Sequence, residues 1–268
     1  MRPSVQHIGF LAALVILIFV TLITVSSRSF SSSHIDLSAQ APGKTDAEVL
    51  RWASRLKSSD EDERRDAALQ LSRLKGDAAG SALASALTDR SPRVRAAVAA
   101  GLAERREESA IPLLASRLAQ DKDKFVRKTT AYALGGFHGT ERTAALVAAL
   151  KDKDPEVRGA VAVSLGDHAD REAVPALSGA LSDKSAFVRA QAAHALGVNG
   201  RGASQAVPNL ISLLTKDEDV EVKRRAATAL GEIGDGLALP ALERARHDKD
   251  PYLQRAAIDA IKTIEGRR

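Results

Sequence analysis

A fourteen-residue segment recurs seven times along this 268-residue chain. A typical copy has an Asp, an Asp or Ser two positions later, often a Pro, then Val-Arg, small residues that are mostly Ala, and a final Leu. The copies start at residues 58, 89, 121, 152, 183, 217 and 248, the first being the most divergent. Such regular spacing predicts a repeat architecture in which each unit packs against its neighbours.

Each copy has the pattern of an amphipathic helix. Apolar residues fall at i, i+4 and i+8, as at Val157, Val161 and Leu165, which places them on one helical face. An Asp or Ser at the N-cap position and, in three copies, a Pro in the first turn mark the helix start. A glycine follows the last apolar residue in four copies, where we expect a left-handed C-cap: Gly135, Gly166, Gly197 and Gly231.

A second helix follows in every copy except the last, often with a Pro near its start, as at Pro175. One helix pair cannot bury its apolar face alone, so neighbouring pairs must stack. An opening helix is predicted from Thr45 to Lys57. The predicted fold is therefore an all-α solenoid of about seven helix pairs over residues 45–268. Aromatic residues make up only 3% of the chain and cysteine is absent, which disfavours a β-sandwich and excludes disulfides and thiolate ligands.

The N-terminal part has a different composition. Residues 8–25 form an uncharged apolar run, about 27 Å long as a helix, which is close to the thickness of a bilayer core. We expect a tail (1–7), a transmembrane or signal-anchor helix (8–25) and a Ser-rich linker (26–44). The alternative is a cleaved signal peptide, which would leave a secreted body. The positive charges that precede the run favour a single-pass anchor with an extracytoplasmic body, periplasmic in a bacterium.

The segment D-x-(D/S)-P-x-V-R-x-x-A-A-x-A-L, with a second helix that begins A-(V/I)-P-x-L, resembles the HEAT-like repeats of the phycobilisome-lyase type. The resemblance covers residues 45–268 and implies a right-handed superhelix with the second helices on its concave side. It indicates a fold and leaves the function open. Because bilin lyases share this repeat, it also implies an alternative function in attaching or chaperoning a cofactor on another protein.

A charged pair recurs at fixed positions, and two readings of it are open. The basic residues form either a row that binds phosphate or nucleic acid, or a structural ladder with the turn acids, as the resemblance implies. We expect the ladder, because acid and base keep a fixed offset. Its acids are Asp89, Asp121, Asp152, Asp183, Asp217 and Asp248, and its bases are Arg64, Arg95, Arg127, Arg158, Arg189 and Lys223.

No catalytic motif emerges from the sequence. The D-x-D turns offer too few oxygen ligands for calcium, the histidines are scattered without a His-Glu pair, and neither a nucleophile elbow nor a P-loop occurs. Few aromatics are available to stack on bases, and acids and bases are interspersed, so we expect no nucleic-acid partner. The sequence therefore predicts no enzyme, no cofactor and no metal. A HEAT-type metalloenzyme is a further alternative.

The outward positions of the second helices are mostly small and uncharged. They serve either close helix packing or a groove for an extended peptide or a partner helix. The candidate groove consists of Ala84, Ser85, Ala115, Ser116, Val147, Ala148, Ser178, Gly179, Ile211, Ser212, Glu243 and Arg244. The resulting hypothesis is a monomeric, membrane-tethered scaffold that binds a partner protein or peptide.

Overall fold

The structure is a computed structural model of the protein, and it describes residues 42–267. The predicted tail (1–7), the predicted membrane segment (8–25) and nearly all of the predicted linker lie outside these residues. Among the described helices, none combines the length and the apolar character needed to cross a membrane.

Residues 42–267 form fourteen α-helices joined by short turns. In chain order they are α1 (Pro42–Arg55), α2 (Glu61–Arg73), α3 (Asp77–Ser85), α4 (Pro92–Glu104), α5 (Ile111–Gln120), α6 (Lys124–Gly135), α7 (Thr140–Ala149), α8 (Pro155–Gly166), α9 (Val174–Ala180), α10 (Ala186–Val198), α11 (Val207–Lys216), α12 (Val220–Ile233), α13 (Leu239–Ala245) and α14 (Pro251–Glu265). Short 3₁₀ turns lie beside the second helices at Ala86–Thr88, Glu108–Ala110, Arg171–Ala173, Gly200–Ala206 and Gly236–Ala238.

The helices stack as a solenoid. The first helices of the repeats, α2, α4, α6, α8, α10, α12 and α14, form one row in which each packs against the next. The second helices pack behind this row, and α1 covers α2 and α3 at one end. One continuous core of Leu, Val and Ala runs through the stack, with Val157, Val161 and Leu165 fully buried. The predicted all-α solenoid is confirmed for these residues.

The helix starts follow the predicted cap chemistry. Ser91 and Asp219 each accept hydrogen bonds from two backbone N–H groups, of α4 and α12 respectively, and Asp154 accepts one from α8. Ser185 occupies the N-cap of α10 without a side-chain hydrogen bond. The opening helix α1 begins at Pro42, three residues before the predicted start.

The predicted role of four glycines as left-handed C-caps is wrong. Gly135, Gly166, Gly197 and Gly231 lie inside their helices and are buried. They are small because the first helices of adjacent repeats touch at these points: a Cβ on Gly231 would lie 2.7 Å from the Cα of Ala260. The left-handed cap of α12 is instead Gly234, with φ +78°.

Candidate functional site

The ladder residues pair between neighbouring repeats. Each ladder arginine extends from the first helix of its repeat to the first Asp of the next turn, 25 to 28 residues later. In every pair the distance from Nε to Oδ2 is 2.7 Å, and Nη2 donates to the other carboxylate oxygen. The pairs are Arg64–Asp89, Arg95–Asp121, Arg127–Asp152, Arg158–Asp183 and Arg189–Asp217.

The third nitrogen of each ladder arginine is also engaged. Arg158 Nη1 donates to the backbone carbonyl of Asp152 at 2.8 Å, so the guanidinium joins its own turn to the next one. Burial alone would raise the pKa of Asp183, but hydrogen bonds from Arg158 and from the N–H of Ser185 hold that pKa below its usual range. All three guanidinium nitrogens of a ladder arginine are therefore engaged by the protein itself.

The ladder changes at its C-terminal end. Lys223 and Asp248, both predicted as ladder residues, form no ion pair with each other, since no acid lies within 4.0 Å of Lys223 among residues 42–267. In the last repeat Gln254 takes the arginine position and donates to the carbonyl of Asp248 at 2.7 Å. A neutral amide is suitable there, since no further turn in the described chain supplies an acid.

The predicted groove positions lie at the surface of the second helices. Six are exposed: Ser85, Ala148, Gly179, Ser212, Glu243 and Arg244. The other six are half-buried: Ala84, Ala115, Ser116, Val147, Ser178 and Ile211. From α3 to α11 these positions are uncharged, and all but Val147 and Ile211 are small. One large apolar side chain, Leu113, is exposed on these helices, at 48%.

The first helices carry most of the exposed large apolar side chains, which the sequence analysis did not single out. In this article the first-helix face means the exposed side chains of α2, α4, α6, α8, α10, α12 and α14. Of the nine large apolar residues exposed in the described chain, six lie on it: Phe125, Tyr132, Phe187, Val198, Val220 and Tyr252. A signal was available, because Phe125, Phe187 and Tyr252 occupy the same, fifth position of their copies.

Specific contacts hold these aromatic side chains in place. Phe187 lies across Gly159 of the neighbouring helix α8, where a Cβ would overlap its ring, and yet 46% of Phe187 remains exposed. The guanidinium of Arg224 lies 5.4 Å from the ring centroid of Tyr252. Because these rings are anchored, ordering them on binding would cost little further entropy.

A polar junction joins the third and fourth repeats. Arg142 is 1% exposed and donates to the backbone carbonyls of Leu134 and Ser164, which end two adjacent first helices. Its burial lowers the pKa of Arg142. Above it, the rings of His138 and His168 lie 4.0 Å apart, in a cleft of about 320 Å³ that Asp170, Arg171 and Glu172 also line.

One ring of the histidine pair contacts the backbone. His168 Nε2 lies 2.7 Å from the carbonyl oxygen of Gly135, and Thr143 donates to Asp170. Burial lowers the pKa of His168, and the positive charge of Arg142 acts in the same direction. No group of three or more metal-ligating side chains comes together anywhere in residues 42–267.

Comparison with known families decides the nature of the repeats. The profile described as HEAT repeats matches residues 49–135, 143–200 and 188–262, which is more than half of the chain. The chain belongs to the HEAT-repeat family. The predicted HEAT-like character is thereby confirmed. No curated protein matches the sequence.

Solved structures resemble this HEAT-repeat chain in fold. Escherichia coli YIBA is 23% identical over 82% of this chain and 82% of its own, with a TM-score of 0.60. An engineered protein is 24% identical over 81% of this chain and 68% of its own, with a TM-score of 0.53. The CpcE–CpcF complex of the Nostoc sp. phycocyanin lyase is 23% identical over 90% of this chain and 93% of its own, with a TM-score of 0.49. At these identities the likeness concerns the fold alone.

Proposed function

We propose that this HEAT-repeat protein is a scaffold that binds a partner protein through its first-helix face, and that residues 8–25 hold it at a membrane. The observation that carries the proposal is the set of exposed aromatic rings on that face, of which Phe187 and Tyr252 are anchored by neighbouring residues. Exposed rings of this kind are typical of binding hot spots, since they bury much area at little entropic cost. Monomers rarely expose such side chains in groups without a function.

The rings are arranged around α8. On one side α6 presents Phe125, which is 50% exposed, and Tyr132, which is 39% exposed. On the other side α10 presents Phe187 and Val198. Between them α8 presents the half-buried Val163 and, in its first turn, the exposed Glu156, which pairs with lysines of α6, whereas Gly159 is covered by Phe187. The rings of α6 and α10 are therefore ridges on either side of α8 for the apolar side chains of a partner.

A non-catalytic role agrees with how the polar residues are used. The ladder arginines are paired, the N-cap acids accept backbone hydrogen bonds, and Arg142 binds helix-end carbonyls. These contacts give each of these polar groups a structural role. The second-helix groove remains the competing location for the partner, since its small surface would accept an extended chain.

The membrane part of the proposal rests on the sequence of residues 8–25 and on the charges that precede it. The full-length protein should stay with the membrane fraction after alkaline extraction, with its body extracytoplasmic. A variant that lacks residues 8–25 should be released. Release of the full-length chain under the same extraction would contradict the tether and would leave the binding proposal untouched.

Site-specific photocrosslinking tests the binding face. A photoreactive phenylalanine analogue is placed at Phe125 or Phe187 in the full-length protein in its native cells, and at Ala148 or Ser212 on the second helices as controls. We expect one discrete adduct, identified by mass spectrometry, from the first-helix positions. Adducts confined to the second-helix positions would assign the partner to the groove. The absence of any discrete adduct at all four positions would refute the scaffold.

A further inference from the structure

The turns that precede the first helices do not have the balanced charge that their sequence suggests. In this article the turn edge means these turns together with the first helical residues after them. Each turn reads Asp, then a variable residue, then Asp or Ser. In five of the six turns that begin with Asp, this first Asp is bound to a ladder arginine: the side chain of Asp121 is 1% exposed, and that of Asp217 is 5% exposed.

The second acid of the turn is engaged by the helix that it caps. Asp123 accepts from the N–H of Phe125 at 2.7 Å, and Asp154 accepts from the N–H of Glu156 at 2.8 Å. A capping carboxylate faces the positive end of the helix dipole, which offsets part of its field. Two of the turns have a neutral Ser at this position.

The residue between the two acids points to solvent, and it is nearly always basic. It is exposed in all six turns that begin with Asp. Five of these residues are cations and Glu218 is the exception: Arg90, Lys122, Lys153, Lys184 and Lys249. Lys151 adds a second exposed cation to the fourth repeat. On the turn edge of the third to fifth repeats, exposed lysines therefore outnumber exposed acids, and the exposed acid there, Glu156, pairs with Lys124 and Lys128.

A cleft of about 260 Å³ opens on this edge between the second and third repeats. Arg95, Arg117 and Lys122 contribute to its lining. Arg95 is bound in the ladder, and Arg117 lies 3.7 Å from the buried carboxylate of Asp121. Lys122 is exposed at the mouth of the cleft.

The cations lie beside the rings of the first-helix face. Phe125 follows Lys122 by three residues and Phe187 follows Lys184 by three, so each ring belongs to the first helical turn after its cation. A ligand on this edge would meet a cation and a half-exposed ring in the third repeat and again in the fifth.

We propose, building on the scaffold function above, that the turn edge binds an acidic segment of the partner protein whose carboxylates face Lys122, Lys153 and Lys184 and whose apolar side chains contact Phe125 and Phe187. Packed helices lie about 8–10 Å apart. A chain in the extended polyproline II conformation advances about 3.1 Å per residue with three residues per turn, so its side chains three residues apart lie on one face. Carboxylates about three residues apart would therefore match successive repeats.

The charge density of the edge distinguishes this partner from nucleic acid. Duplex DNA carries one charge per about 1.7 Å. The edge offers roughly one solvent-facing cation per helix spacing of about 10 Å. On the turn edge of the third to fifth repeats the exposed cations are also lysines, whereas planar phosphate recognition favours arginine.

A designed peptide tests the inference. The probe is a fluorescein-labelled peptide of five Glu-Ser-Val triplets, titrated with the full-length protein in neutral detergent and followed by fluorescence anisotropy. The matched variants are Lys122→Glu/Lys153→Glu/Lys184→Glu on the edge and Lys75→Glu/Arg201→Glu/Lys262→Glu elsewhere. All six positions are exposed, and both triple variants change the net charge equally. Circular dichroism verifies that both retain the helix content of the parent.

We expect the edge variant to lose roughly tenfold in affinity, as three exposed ion pairs would contribute together, and the control variant to lose less than about twofold. A peptide with Lys in place of Glu should not bind. Equal losses in the two variants, or no binding of the acidic peptide, would overturn the inference. Tighter binding of a fifteen-nucleotide oligothymidylate, or of vesicles that contain phosphatidylglycerol, would also overturn the inference if that binding depends on the same three lysines. Crosslinking of the partner at Phe187 that persists in the edge variant would contradict this inference. The same result would still support the scaffold function.

Discussion

Removing one ladder arginine tests how far the polar ladder stabilises the stack. Arg158→Leu deletes the two contacts of 2.7 Å to Asp183 and the hydrogen bond to the carbonyl of Asp152. The carboxylate of Asp183 then stays 86% buried with only the N–H of Ser185 as a partner. Breaking a buried pair in this way costs about 3–5 kcal/mol. Because Asp183 retains 14% exposure and can recruit water, we expect the lower end, about 3 kcal/mol.

The assay is urea unfolding of the full-length protein in neutral detergent, followed by circular dichroism at the helical minimum. The matched control is Arg93→Leu, which removes a side chain that is 74% exposed and whose nearest acid, Glu61, lies 3.9 Å away. The control should cost less than about 1 kcal/mol. Equal costs for the two variants would refute the ladder as a source of stability.

The same pair of variants gives a pH signature. The pKa of Asp183 is lowered in the folded state from its ordinary value of 3.8, since the hydrogen bonds from Arg158 and Ser185 outweigh burial, which acts to raise it. The stability that the Arg158–Asp183 pair contributes is therefore present above pH 3.8 and is lost as the pH falls through the pKa of Asp183 in the folded state. The difference between wild type and Arg158→Leu should shrink near pH 3. A difference that stays constant down to that pH would show that the lost stability does not come from the ion pair.

Three further outcomes follow from the packing and from the histidine pair. Gly231→Ala places a Cβ 2.7 Å from the backbone of Ala260 and should destabilise by about 1–3 kcal/mol in the same unfolding assay. Gly179→Ala, which meets nothing within 4 Å on an exposed helical site, should be neutral or stabilising by up to about 1 kcal/mol. The pKa of His168 is lowered by burial, so the stability that it supports is present above pH 6.5 and falls on acidification. The melting temperature should therefore fall less between pH 7.5 and pH 5 in His168→Gln than in the wild type. An equal fall in the two proteins would contradict the role of this ring beside His138.

The sequence was sufficient for the parts of the fold that depend on local chemistry. The interval between copies, the apolar spacing and the N-cap residues predict the helices and their stacking, and the fixed acid–base offset predicts a ladder. The pairing of Arg158 with the next turn was not determined, because an offset within a repeat is compatible with pairing to either neighbour. Gly231 was misread because a glycine after an apolar run is typical of a cap, and only the distance to Ala260 shows that it serves a helix contact.

The excess of exposed cations on the turn edge could not be predicted from the sequence for a related reason. In the sequence, Asp121, Lys122 and Asp123 alternate and suggest no net field. Their surroundings differ in the folded chain: Asp121 is buried against Arg95, Asp123 caps a helix, and Lys122 remains in solvent. Which charges reach the surface depends on tertiary contacts. The buried Arg142 could not be predicted either, since nothing in its local sequence indicates that it binds the ends of two first helices.

Hydrogen–deuterium exchange of the full-length protein, with and without the partner identified by crosslinking, tests the binding face most directly. The account predicts slower exchange on partner binding at the turns and first helical residues 121–128, 152–159 and 183–191, and unchanged exchange in the second helices 174–180 and 207–216. Protection confined to the second helices would contradict it and assign the partner to the opposite surface of the stack.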